Sequence, residues 1–233
     1  MSGYTRTKSR PSPRPTFGSS PGCLRRAAAA VALATALGVT LAACGDDSDG
    51  GGSPSSTQTA SNGDVFNGAD VSFASDMIQH HAQALTMVDL TAGRTLDPEV
   101  RQLADDIRAA QGPEVEEMSD WLTAWDEEVP ETMRDHSNAG HDMGGDMSEQ
   151  MEGMEDSDMP GMMSGDEMDE LQDASDGEFQ DMWLEMMVEH HEGAVEMARS
   201  EQKDGEFADA VELAKAIESA QEQEIEQMKG LLG

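Results

Sequence analysis

Met77-Ile78-Gln79-His80-His81 and Met187-Val188-Glu189-His190-His191 are one pattern written twice, at an offset of 110 residues. The register holds without a gap beyond it. Ala84 and Met87 match Ala194 and Met197, and Leu103, Ala104, Ile107, Ala110, Gln111, Glu114 and Met118 match Leu213, Ala214, Ile217, Ala220, Gln221, Glu224 and Met228. A correspondence kept through a His-His segment and a second segment downstream predicts that each half is one helical hairpin, duplicated within the chain.

Phe73, Met77, His80, His81, Ala84 and Val88 fall on one face of a helix, as do Trp183, Met187, His190, His191, Ala194 and Ala198, so both histidine pairs are expected to point inward. The second helix of each hairpin carries its own apolar stripe, Val100 to Met118 and Val211 to Met228. Asp97-Pro98 reads as a helix start, with aspartate at the cap and proline in the first turn. Two such hairpins bury their apolar faces most simply against each other, which predicts an all-α four-helix bundle.

Working outward, the halves are residues 64–130 and 171–233, and between them residues 131–170 show no helical apolar face. Gly, Asp, Glu, Ser and Met dominate this stretch, which is expected to be a disordered insert. It holds His136, His141, Met143, Met147, Met151, Met154, Met159, Met162 and Met163, with Met133 and Met168 near its ends. Nine of the chain's 18 methionines fall there.

The front of the chain reads as an export signal. Residues 1–26 carry Arg6, Lys8, Arg10, Arg14, Arg25 and Arg26 and no acid, and an apolar run from Ala27 to Val39 follows. That run is too short to span a hydrocarbon core of roughly 30 Å. It leads into Leu41-Ala42-Ala43-Cys44-Gly45, which resembles the lipobox of bacterial lipoproteins and implies lipidation of Cys44 after removal of residues 1–43. Arg25-Arg26 lacks the surroundings of a twin-arginine signal, so the general secretory route is expected. Residues 44–63 read as a flexible tether, which places the protein outside the cell membrane, anchored to its outer face. The remaining cysteine, Cys23, lies in the segment removed, which excludes thiol chemistry from the mature chain.

With 14 Lys+Arg against 48 Asp+Glu, the net charge is −34, which repels nucleic acids and favours cations. Methionine thioethers are soft, uncharged ligands, and clusters of them favour Cu(I) or Ag(I) over Zn, Mg or Ca. Met151-x-x-Met154, Met159-x-x-Met162 and His141-x-Met143 would let a loop close around one ion. Met77 lies one turn before His81, and Met186 and Met187 one turn before His190 and His191, so imidazole and thioether could also meet inside the bundle. The competing reading is that the histidine pairs satisfy a buried polar network with Glu114 and Glu224 and bind nothing. No H-E-x-x-H, Glu-x-x-His pair, nucleophile–base constellation or phosphate-binding glycine pattern is present, so no enzyme and no organic cofactor are expected.

The repeated Met-Ile/Val-x-His-His-x-x-Ala-x-x-Met element, with the Leu-Ala-x-x-Ile-x-x-Ala-Gln-x-x-Glu-Val/Ile-x-x-Met element after it, resembles the bacterial domain of unknown function family 305 over Asp64 to Trp125 and Glu178 to Gly233. The resemblance implies a ferritin-like four-helix arrangement, export, and copper binding linked to copper tolerance. It carries onto Met77, His80, His81 and Met87, and onto Met187, His190, His191 and Met197. This chain departs from the pattern in its long methionine-rich insert, and in Ala82-Gln83 standing where the second copy has Glu192-Gly193, which is expected to alter the first pair. The expected function is envelope copper binding, chiefly of Cu(I), for sequestration or for transfer to an envelope copper transporter or chaperone. The rival is an acidic helical interaction module without metal.

Overall fold

The computed structural model describes residues 56–134 and 159–233. It opens with a minimal hairpin in which β1 (Gln58–Thr59) runs antiparallel to β2 (Val65–Phe66). The helices are α1 (Gly68–Asp89), α2 (Pro98–Trp125), a short α3 (Gly165–Asp173), α4 (Asp176–Asp204) and α5 (Ala208–Leu232). The described chain is thus helical apart from one two-stranded ribbon, and the predicted hairpins are α1–α2 and α4–α5. Among the described residues no helix is long and apolar enough to cross a membrane. The hairpins meet chiefly where α1 packs on α4, with a smaller contact between α2 and α5.

Local chemistry sets the helix ends. Asn67 Oδ1 accepts from the N–H groups of Ala69 and Asp70 while the Asn67 N–H donates to Asp70 Oδ2 at 2.6 Å, a closed capping box at the start of α1. The same Asp70, fully buried, accepts through Oδ1 from the N–H groups of Glu206 at 3.0 Å and Phe207 at 2.9 Å, so one carboxylate starts α1 and pins the α4–α5 turn. Asp97 and Pro98 do begin α2, but no helix N–H reaches the Asp97 side chain. Its carboxylate accepts from Gln180 Nε2 at 3.0 Å and its N–H donates to Gln180 Oε1 at 2.8 Å, which ties α2 to α4 instead of capping α2. Pro113 lies inside α2 without ending it, and the helix stops at Asp126 in the left-handed conformation, φ 63°.

The core divides into two clusters along the α1–α4 seam. One contains Phe66, Phe73, Met77, Met118, Trp121, Trp125 and Phe207, with Met197 packed against it. The other contains Met87, Met133, Met163, Met168, Phe179, Trp183, Met187 and Met228. The offset of 110 converts Met77, Met118 and Met197 into Met187, Met228 and Met87. The internal symmetry therefore exchanges one cluster for the other, as antiparallel α1 and α4 require.

Two expected boundaries move. The tether of residues 44–63 overlaps the ribbon, since Thr59 pairs with Val65 and seats Phe66 on Trp125 with ring centroids 4.5 Å apart. The insert of residues 131–170 is not free of structure at its ends. Met133, Met163 and Met168 are buried in the core, and α3, begun by a Ser164–Glu167 capping box, crosses the expected boundary at residue 170. These methionines serve as apolar packing, a role their flexible side chains fill well.

Candidate metal centre

His80, His81, His190 and His191 are all completely buried where α1 crosses α4. The rings of His80 and His190 lie 3.8 Å apart, centroid to centroid, tilted by 39°. His81 Nε2 bonds Glu114 Oε2 at 2.8 Å, and its counterpart His191 Nε2 bonds Glu224 Oε2 at 2.8 Å. The predicted network with the second helix of each hairpin therefore exists, twice. His80 Nε2 bonds the Pro160 carbonyl at 3.0 Å.

Carboxylates and carbonyls only accept, so Nε2 carries a proton in these three rings, and in neutral His80 this leaves Nδ1 as a bare lone pair. None of the four Nδ1 atoms has a hydrogen-bond partner, and His190 Nε2 has none either. Burial pushes His80 down to about 3, with His81 adding to the effect, and pushes His190 well below its ordinary value, with His80 next in importance. Both are neutral imidazoles at pH 7, the state in which a histidine ligates a metal. Gln111 and Gln221 are buried one turn ahead of Glu114 and Glu224, and no donor reaches either amide oxygen. In the sequence both fall within the apolar stripes, and their recurrence at the same offset is the signal that marks them.

A strap lies across this polar layer. Gln83 Nε2 donates to the Met163 carbonyl and the Met163 N–H donates to Gln83 Oε1, both at 2.8 Å. Gly193 gives the strap room, since a Cβ there would stand 1.9 Å from the Pro160 oxygen. Gly161, at φ 73°, turns the strap within what would be 2.5 Å of the Glu189 carbonyl for a Cβ. The departure of Gln83 and Gly193 from the repeat is thus explained by docking of a segment that exists only once.

Among the predicted ligands, Met77, Met87, Met163 and Met187 are buried, and Met159, Met162, Met186 and Met197 are partly so. Met77 and Met187 fall in opposite clusters. His136, His141, Met143, Met147, Met151, Met154 and the proposed lipidation site Cys44 lie outside the described residues. Among the described residues no three His, Cys, Asp or Glu side chains are grouped to hold a metal on their own, so a metal here would have to draw on thioether sulfur as well.

The low values of His80 and His190 fix a pH dependence. Below about pH 6.5 the unfolded chain takes up protons that these buried rings refuse, so stability falls as pH drops from 6.5 toward 3. The wild type should lose Tm relative to His80→Gln as pH falls from 6.5 to 4.5, measured by thermal denaturation in parallel buffers. A constant difference across that range would show that His80 is not held neutral.

The profile of the family described as Domain of unknown function (DUF305) matches residues 70–232. The chain belongs to the DUF305 family. A DUF305 fragment from Deinococcus radiodurans has 27% identity and a TM-score of 0.58, covering 76% of this chain and 99% of the other. A presumed secreted DUF305 protein from Streptomyces coelicolor has 33% identity and a TM-score of 0.57, covering 70% and 91%. CopM in its Cu(I)-bound form has 26% identity and a TM-score of 0.52, covering 70% and 94%, and it has also been solved in Cu(II)- and Ag-bound forms. The mimivirus protein L153, from Acanthamoeba polyphaga mimivirus, is 42% identical over 53 residues, and the match spans only 35% of its length.

Proposed function

We propose that this DUF305 chain is an exported, lipid-anchored protein that binds copper, chiefly Cu(I), for sequestration or for transfer to an envelope transporter or chaperone, without catalysing a reaction. The observation that carries the reading is the layer of four buried imidazoles whose Nδ1 atoms have no hydrogen-bond partner, His80 and His190 among them held neutral, flanked on both sides by methionine-rich core. Imidazole with thioether suits copper better than any oxygen-preferring cation. The copper- and silver-bound forms of CopM, which shares this fold, support the choice of metal. The lipobox at Cys44 and the Streptomyces relative support export.

Anaerobic titration of the full chain with Cu(I) against a chromophoric chelator, with Zn(II) and Ca(II) as controls, tests the reading. Tight Cu(I)-selective binding is expected, and the His80→Gln/His190→Gln pair should weaken it at least tenfold. Unchanged affinity in that folded variant would remove the histidines from the site. Glu114→Gln and Glu224→Gln should each cost about 10- to 100-fold in affinity, the usual effect of losing a carboxylate that orients a ligating imidazole. Replacing residues 135–158 by a Gly-Ser linker of equal length should lower stoichiometry and leave the fold intact. The wider stretch 131–170 is unsuitable for that test, because Met133, Met163 and Met168 belong to the core.

A further inference from the structure

Beside the first turns of α1 and the last turns of α4 lies a cavity of about 160 Å³ whose wall includes Ser72, Asp76, Met197, Ser200 and Glu201. The duplication supplies an internal comparison for it. At the offset of 110, Ser72, Asp76, Ser200 and Glu201 correspond to Met182, Met186, Leu90 and Thr91. Met182, Met186 and Leu90 pack against the apolar core at the other end of the seam. Carboxylates therefore stand at one end only, and three of the four counterparts are apolar, Thr91 being the exception.

Glu201 is only 2% exposed, and no N–H or hydroxyl donor reaches either of its carboxyl oxygens. The backbone closes over it, since a Cβ on Gly205 would stand 2.2 Å from Glu201 Oε1. A buried carboxyl without a donor is costly. Burial first, then a side-chain hydrogen bond to Asp70 and the charges of Asp70 and Asp204, push Glu201 up to about 8, and burial also raises Asp76. No ion pair reaches either carboxyl among the described residues.

We propose that this cavity binds one hard divalent cation, with Asp76 and Glu201 as carboxylate ligands and the Ser72 and Ser200 hydroxyls and retained water completing an oxygen shell. The volume is several times the roughly 30 Å³ that a water molecule takes in the liquid, so the ion keeps part of its hydration. Two carboxylates with hydroxyls and water suit Mn²⁺ or Ca²⁺, whereas a single thioether with no histidine on the wall does not suit Cu(I). The net charge of −34 raises the local concentration of such ions.

The test is a titration of the copper-free full chain with Mn²⁺, free ion being read by electron paramagnetic resonance. One saturable site is expected, competed by Ca²⁺ and weakened at least tenfold by Asp76→Asn and by Glu201→Gln. Asp105→Asn, on the exposed face of α2, should leave it unchanged. Asp76 is half-buried, so its asparagine variant provides a folded test even if Glu201→Gln proves unstable. Binding that never saturates and falls alike in all three variants, or a single site that survives in folded Asp76→Asn, would overturn the proposal. Because copper is absent throughout, that result would leave the copper reading untouched.

Discussion

Gly193→Ala should lower the Tm by roughly 6–12 °C, the equivalent of about 3 kcal/mol in a domain of this size. The added methyl would stand 1.9 Å from the Pro160 oxygen and 2.4 Å from its carbonyl carbon, and both are backbone atoms with no rotamer to escape into. The strap must lift, which breaks the His80–Pro160 bond and the paired Gln83–Met163 bonds. Lifting the strap forfeits about 1 kcal/mol for each of the three bonds, and leaving it in place costs about 1–3 kcal/mol of overpacking, so either response brings the loss to about 3 kcal/mol. Gly177→Ala is the control. It adds a methyl to α4 with nothing within 4 Å and should stabilise by up to about 1 kcal/mol through helix propensity. Equal Tm values for the two variants would mean that the strap does not dock as described.

Trp183→Ala should cost about 3–5 kcal/mol, the range for truncating a fully buried large aromatic. Trp183 is wholly inaccessible, sits in the core with Met87, Phe179 and Met187, and donates its indole N–H to the Met87 carbonyl at 2.9 Å. Its symmetry counterpart is Phe73, which packs in the other cluster and has no such bond to lose. Urea unfolding should therefore rank Trp183→Ala as more destabilising than Phe73→Ala, with Trp183→Phe well below both. A shift in midpoint with unchanged slope would confirm that the native state alone is affected. If Trp183→Ala and Phe73→Ala proved equal, the indole bond would contribute nothing measurable.

The parts legible from sequence are those that repeat. His80 with His190, Glu114 with Glu224, and the two helical faces were readable because a second copy stands at the same offset, and helical periodicity tells which residues share a face. The strap was not legible. Pro160-Gly161-Met162-Met163 continues the Met- and Gly-rich composition of the residues before it, and only its partners Gln83 and Gly193, far away in sequence, mark it as docked. Their deviation from the repeat was visible, but its cause required knowing what lay against them. The ribbon at Gln58–Thr59 and Val65–Phe66 escaped for a simpler reason, since two residues per strand are too few to show an alternation. The cavity at Glu201 is the reverse case, where the informative signal is the failure of the repeat to repeat.

The single strap over a doubled centre bears on the ancestry of the molecule. Had the α1–α2 hairpin first worked as a homodimer, every substitution would have appeared on both sides of the axis, and a glycine placed to admit a strap on one side would have been an idle glycine on the other. Once both copies share a chain, position 83 can be the glutamine that bonds the strap while its counterpart, position 193, is the glycine that admits it, and each half becomes free to specialise.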